Sequence, residues 1–123
     1  MRIFDRIVAI LILLMGAIHS AFSPVFHGRY DGDGMWFLSG GLMMIFLGLM
    51  NLVRTAAPGA AARCAALVAN VLGLAFAGAL APLFPLRQNP QVVVLLALVA
   101  VALLFSVMSS DRGGVSPTDK GGG

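Results

Sequence analysis

Charged residues are so sparse in this chain that they leave four long uncharged stretches, and this spacing limits the possible folds more than any motif does. The stretches run from Ile7 to Gly28, Gly34 to Val53, Cys64 to Leu86 and Gln88 to Ser110, which is 22, 20, 23 and 23 residues. A hydrocarbon layer roughly 30 Å thick takes about 20 helical residues to cross, so each stretch can make one crossing. Within lipid a segment must satisfy its own backbone hydrogen bonds, which excludes exposed loops and open strands and leaves helices. The expected fold is an all-α integral membrane bundle of four transmembrane helices near residues 4–22, 35–53, 63–84 and 92–109. Turn-forming and helix-breaking residues fall between them: Pro24, Gly28, Gly32 and Gly34, then Pro58 and Gly59, then Pro82, Pro85 and Pro90. Residues 1–110 thus read as a single domain, and the polar run DRGGVSPTDKGGG at 111–123 as a disordered tail.

Composition agrees with this and removes other classes. Hydrophobic residues make up 59% of 123 positions and mean hydropathy is +0.96, more apolar surface than a soluble core of this size can hide. The eight Lys and Arg are scattered singly, without the gathered basic face and aromatic platforms that nucleic acid requires. Cys64 has no partner for an internal disulfide, and no Cys/His spacing fits a zinc site.

Basic residues resist translocation, so their distribution sets orientation. Arg2, Arg6, Arg54, Arg63, Arg112 and Lys120 fall on one side of the four-span scheme, and Arg29 and Arg87 on the other. Both termini are therefore expected inside, with Tyr30 and Trp36 at the outer boundary. MRIFDR followed by the apolar run Ile7 to Ile18 also has the form of a signal peptide. His19 stands two residues before Ala21, which spoils a small-x-small cleavage pattern, so a retained helix is expected.

Lipid is as apolar as leucine, so helices associate through close backbone approach and polar contacts, and small residues mark the interfaces. Ala65, Ala69, Gly73, Ala77 and Ala81 recur at every fourth position of the third span, which predicts a packing ridge on a central helix. On the second span Gly41, Met44, Gly48 and Asn51 form an inward stripe, with Ser39, Met43 and Met50 on the other side. Ile12, Gly16 and His19 align on the first. The fourth span, VVVLLALVAVALLF, reads as the most lipid-exposed wall. Gly16, Gly48, Asn51, Ala69, Asn70, Gly73 and Ala77 are the expected helix-packing residues, with Asn51 and Asn70 making interhelical hydrogen bonds.

His19 is the one titratable side chain expected within the apolar layer, where such residues are costly enough to raise a functional hypothesis. Equal helical rise places it opposite Gly40 and Gly41, with Met44 a turn deeper, so His19, Gly40, Gly41 and Met44 form the candidate ligand site. The competing reading is an imidazole hydrogen-bonded to a backbone carbonyl or to Ser20. In the outer loop, His27, Arg29, Tyr30, Asp31 and Asp33 read as a solvated turn, because the later ligands of a calcium loop are missing. Seven methionines raise Cu(I) binding, but Met43 and Met44 are expected on different helix faces, and flexible packing is favoured. No second inward His is available for haem, and no nucleophile-base pair or paired carboxylate is visible. No metal, cofactor or catalytic residue is expected.

The segments RIVAILILLMGAIHSAFSP and WFLSGGLMMIFLGLMNLVRTA, followed by an Ala-rich third span, resemble small four-helix bacterial membrane proteins of the DoxX-like type. The resemblance rests on an Arg before the first helix, a Gly and a polar residue near that helix's end, a following Pro, and a Gly-Gly second helix ending in a basic residue. It implies a four-helix bundle in the bacterial inner membrane, often of unassigned function, with some relatives tied to redox-associated complexes. Two functional expectations follow. The first is an accessory protein acting by helix packing in the lipid bilayer, as a homo-oligomer or beside a larger membrane partner. The rival is a binder or transporter of a small apolar or redox-active ligand, quinone-like, at His19. An enzyme is the least supported class.

Overall fold

The computed structural model describes residues 2–26, 28, 31–57, 59–83 and 89–110. Within them lie helices α1 (Arg2–Phe26), α2 (Gly32–Ala56), α3 (Ala60–Leu80) and α4 (Pro90–Ser110), with a 3-10 turn at Ala81–Leu83. They contain 25, 25, 21 and 21 residues. At about 1.5 Å per residue, each exceeds a hydrocarbon layer of roughly 30 Å. All four are long and apolar enough to cross a membrane.

All four helices begin before the residues expected from sequence, and α1, α2 and α4 also end beyond them, because helical hydrogen bonding continues past the point where apolar sequence gives way to charge or turn residues. Pro24 lies inside α1, in its last turn, where the missing donor costs one backbone bond and two further residues stay helical. Asp31 caps α2, its Oδ1 accepting from the Gly34 N–H at 2.8 Å, which draws the glycines of the loop into the first turn. Pro90 opens α4, where its lost N–H has no helical partner anyway. α3 instead stops short of residue 84: Pro82 cannot donate four residues back, and the chain tightens into the 3-10 turn.

Each helix packs chiefly on two others. α1 and α3 both lie against α2 and α4, and the pairing of α1 with α2 is the most extensive. Three glycines explain that pairing. A methyl group on Gly16 would lie 2.7 Å from the Gly41 carbonyl oxygen, and one on Gly48 would lie 2.8 Å from the Leu13 nitrogen and 2.9 Å from the Ala9 oxygen. A methyl on Gly41 would strike Ser20 Oγ and lie 2.9 Å from the Ser20 nitrogen. The two backbones are in direct contact, which only glycine permits.

Burial is reversed relative to a water-soluble bundle. Asn51, Asn70, Ser106, Gly16, Gly48 and Ala66 are inside, whereas Phe4, Ile18, Phe46, Leu72 and Leu104 are outside. Water would not tolerate so much exposed apolar surface, but lipid does.

α3 is not the central helix that its ridge predicted. It buries Ala66, Asn70, Gly73 and Ala77, whereas α2 buries seven residues including Gly41, Met44, Gly48 and Asn51. Ala65 is exposed and Ala69 and Ala81 are half-buried. A four-residue repeat advances about 40° around the helix at each step, so the ridge lies in the interface at Gly73 and Ala77 and turns to its edge or out of it toward either end. α4 buries Val99, Ala102 and Ser106, and its other residues are exposed or half-buried wherever their side chains are described.

Candidate functional site

Three layers are stacked along the bundle. At the end opposite the N-terminus, a cavity of about 210 Å³ lies between the α1–α2 pair and the α3–α4 pair. His19 and Met15 of α1, Trp36, Phe37, Gly40, Met43 and Met44 of α2, Phe76 of α3 and Gln91 of α4 are among its walls. The His19 imidazole lies flat on the Phe37 ring, with centroids 3.8 Å apart and planes at 17°, and hydrogen-bonds to the Phe37 backbone. Trp36 leans against Phe76 with centroids 6.1 Å apart. Half-buried Gly40 leaves the imidazole uncovered on its side: a methyl there would lie 3.7 Å from His19 Nε2.

Of the four candidate ligand residues, His19, Gly40 and Met44 line this cavity and Gly41 does not. Gly41 turns to α1 and is filled by Ser20, whose hydroxyl is buried without a hydrogen-bond partner. Met43 is a second correction, since it lines the cavity beside Met44 although the sequence reading put it on the opposite face. At this level α2 faces both α1 and the α3–α4 pair, so its inward arc spans adjacent residues. Three thioethers thus meet His19 in one cavity. No acidic side chain is among the walls, and the flexible thioethers give the cavity a deformable, mostly apolar lining. Among the described residues no group of three or more His, Cys, Asp or Glu could hold a metal.

A second space, a cleft of about 570 Å³ between α1 and α4, opens outward. Met15, His19, Phe37 and Gln91 line both spaces.

Below the cavity Ile12, Met44, Leu47, Val99 and Ala102 form a packed apolar layer. A methyl on Gly73 would lie 3.0 Å from Leu47 Cδ2 and 3.7 Å from Val99 Cγ1, so little room remains there.

The third layer, toward the N-terminus, is a buried polar chain through all four helices. Arg54 Nη2 of α2 donates to Asp5 Oδ1 of α1 at 2.6 Å and to Asn51 Oδ1 at 3.3 Å. Asn51 and Asn70 bond reciprocally, Nδ2 to Oδ1, at 2.8 and 3.0 Å. Asn70 Nδ2 also donates to Ser106 Oγ of α4 at 2.8 Å, and Ser106 passes a bond to the Ala102 carbonyl at 2.9 Å. Together with the Ser23–Gly34 hydrogen bond and the approach of Gly73 to Leu47 and Val99, these pairings show that α1 with α2, α2 with α3, and α3 with α4 run antiparallel.

Sequence reading missed the Asp5–Arg54 pair, having treated His19 as the one titratable group inside. The signal was present. Asp5, Ala9, Ile12 and Gly16 follow one helical stripe, as do Met44, Leu47, Asn51 and Arg54, so each inward face continues one turn into a flanking charge. The expectations for His27, Arg29, Tyr30, Arg87 and the 111–123 tail lie outside the described residues.

The fold defines a class: four apolar helices, packed through small and polar residues, of a multi-pass membrane protein. Comparison with known protein families, curated proteins and solved structures gives no match.

Proposed function

We propose that this is a bacterial inner-membrane protein, with both termini in the cytoplasm, that binds a small, largely apolar, quinone-like molecule beside His19. One observation carries the reading: His19 lines both the cavity between the helix pairs and the more open cleft between α1 and α4. A molecule dissolved in the bilayer can therefore reach the imidazole from the side. Aromatic and thioether walls suit a flat apolar ring, and the imidazole with Gln91 supplies orienting polar groups. An apolar cavity of about 150 Å³ is known to accept benzene, so this one has room for a substituted ring. The packed layer at Ile12, Leu47 and Val99 favours binding over passage through the bundle.

An accessory role through helix packing is the second reading. Gly16, Gly48, Gly73 and Ala77 are buried within the bundle, which weakens the original basis for association. Exposed Ala65, Ala75, Gly78 and Ala79 on the outward face of α3 are where a partner helix would approach.

Native mass spectrometry of protein extracted with its lipids tests the first reading. A bound small molecule should accompany the wild type and be lost in His19→Ala. Retention of the same molecule by the variant, or bare wild-type protein from membranes rich in quinone, would overturn it.

A further inference from the structure

The two adjoining spaces differ in their walls, and from that difference we infer the architecture of the ligand: one compact ring seated beside His19, carrying a single hydrocarbon chain that lies in the cleft between α1 and α4. The inference rests on the reading that the cavity binds a ligand. The cavity carries the oriented groups: the imidazole, the Trp36 and Phe76 rings, and the Asn89 and Gln91 amides. Its volume of about 210 Å³ holds a ring with small substituents and leaves no space for a long chain.

The cleft is more than twice as large, at about 570 Å³, and apart from the shared His19 and Gln91 its walls are apolar. Leu14, Ile18 and Phe22 of α1 face Val94 and Leu98 of α4 across it. Such a surface offers a ligand nothing to orient a polar group and suits a flexible chain. The shared wall of Met15, His19, Phe37 and Gln91 sets the two spaces side by side, so a chain leaving the ring at His19 has the cleft next to it. Direction follows from the helix. The cleft extends along α1 from Phe26 to Leu11; its Leu11 arm, eight residues or about 12 Å from His19, leads toward the middle of the bilayer, where a hydrocarbon chain is at home. The chain gains packing contacts in the cleft and no hydrophobic transfer energy, since it leaves lipid for a lipid-like surface. Its other effect is to hold the ring in the membrane at the depth of the cavity.

Trp36, the chain's single tryptophan, lines the cavity and reports ring binding by fluorescence quenching. The probes are decylubiquinone and the same methoxy-substituted benzoquinone ring without its chain, titrated into purified protein in one detergent. The cleft is filled by Leu14→Phe with Val94→Phe; both positions are about half exposed, at 49% and 50%, so the added rings displace no buried residue. The wild type should bind both probes. The double variant should lose affinity for decylubiquinone on the order of tenfold, the equivalent of about ten lost heavy-atom contacts, and keep its affinity for the chainless ring. Equal weakening of both probes, or no weakening of either, would overturn the chain site and leave the cavity reading standing. If neither probe quenches Trp36 in the wild type, the cavity reading fails and the inference with it.

Discussion

Asn51 shows how a polar side chain can be fully buried in a membrane bundle. Its Nδ2 donates to the Leu47 carbonyl at 2.9 Å and to Asn70, and its Oδ1 accepts from Asn70 and Arg54. Asn70 likewise uses both of its N–H groups, and both residues have no exposed surface. Single interhelical bonds of this kind are worth about 0.6 to 1.7 kcal/mol, so the chain of them specifies register more than it supplies stability. The Asp5–Arg54 pair behaves differently, because removing one charge strands the other. Asp5→Leu is expected to cost about 3 kcal/mol or more, and adding Arg54→Met should recover most of the loss. Recovery is expected because Asn51 Oδ1 still accepts from Asn70 when Arg54 is gone. Reversible unfolding in mixed detergent micelles measures both variants. A double variant no more stable than Asp5→Leu would show that the pair does not act as a compensated unit.

Between helices, the contact of α1 with α2 depends on backbone approach at Gly16, Gly41 and Gly48. Gly48→Ala places a methyl against the Leu13 nitrogen and the Ala9 oxygen, and backbone atoms cannot rotate away. The helices must separate, at a cost of about 1 to 3 kcal/mol. Gly78→Ala is the control: nothing lies within 4 Å of the added methyl, and relief of glycine's poor helix propensity should stabilise by up to about 1 kcal/mol. Opposite signs in one unfolding assay are the expected outcome; equal effects would mean that the close approach is not what limits residue size at Gly48. The same logic redirects the search for an assembly interface. Gly73 faces Leu47 and Val99 inside the bundle, so enlarging it disturbs the fold, whereas Ala75→Leu with Gly78→Leu alters an exposed face.

For the whole molecule the open quantity is orientation. The proposed cytoplasmic placement of both termini rests on six basic residues on one side against two on the other, and an even number of crossings keeps the termini together. A reporter active only in the cytoplasm should work when fused after Lys120, and one active only in the periplasm should not. The reverse pattern would invert the bundle and move the cavity to the cytoplasmic half. The His19 site would then draw its ligand from the other leaflet. The cavity itself would be unchanged, because it is built by packing and not by orientation.

The number of helices, their approximate limits and their lipid-facing character were legible in the chain because they depend on local quantities: hydropathy, charge spacing, and the turn chemistry of proline and glycine. The inward stripe of α2 was legible for the same reason, since helical periodicity alone places Gly41, Met44, Gly48 and Asn51 together. Pairings between distant segments were not. Asp5 and Arg54 are 49 positions apart, and each had an adequate local explanation as a flanking charge, so only packing could join them. The every-fourth-residue ridge of α3 located Gly73 and Ala77 in the interface but overstated the helix's central place, because regular spacing is not the same as a fixed face. The cavity beside His19 needed all four helices: α1 and α2 meet too closely at their glycines to leave space between them, and the opening arises where the α3–α4 pair stands off from that contact at Phe76 and Gln91.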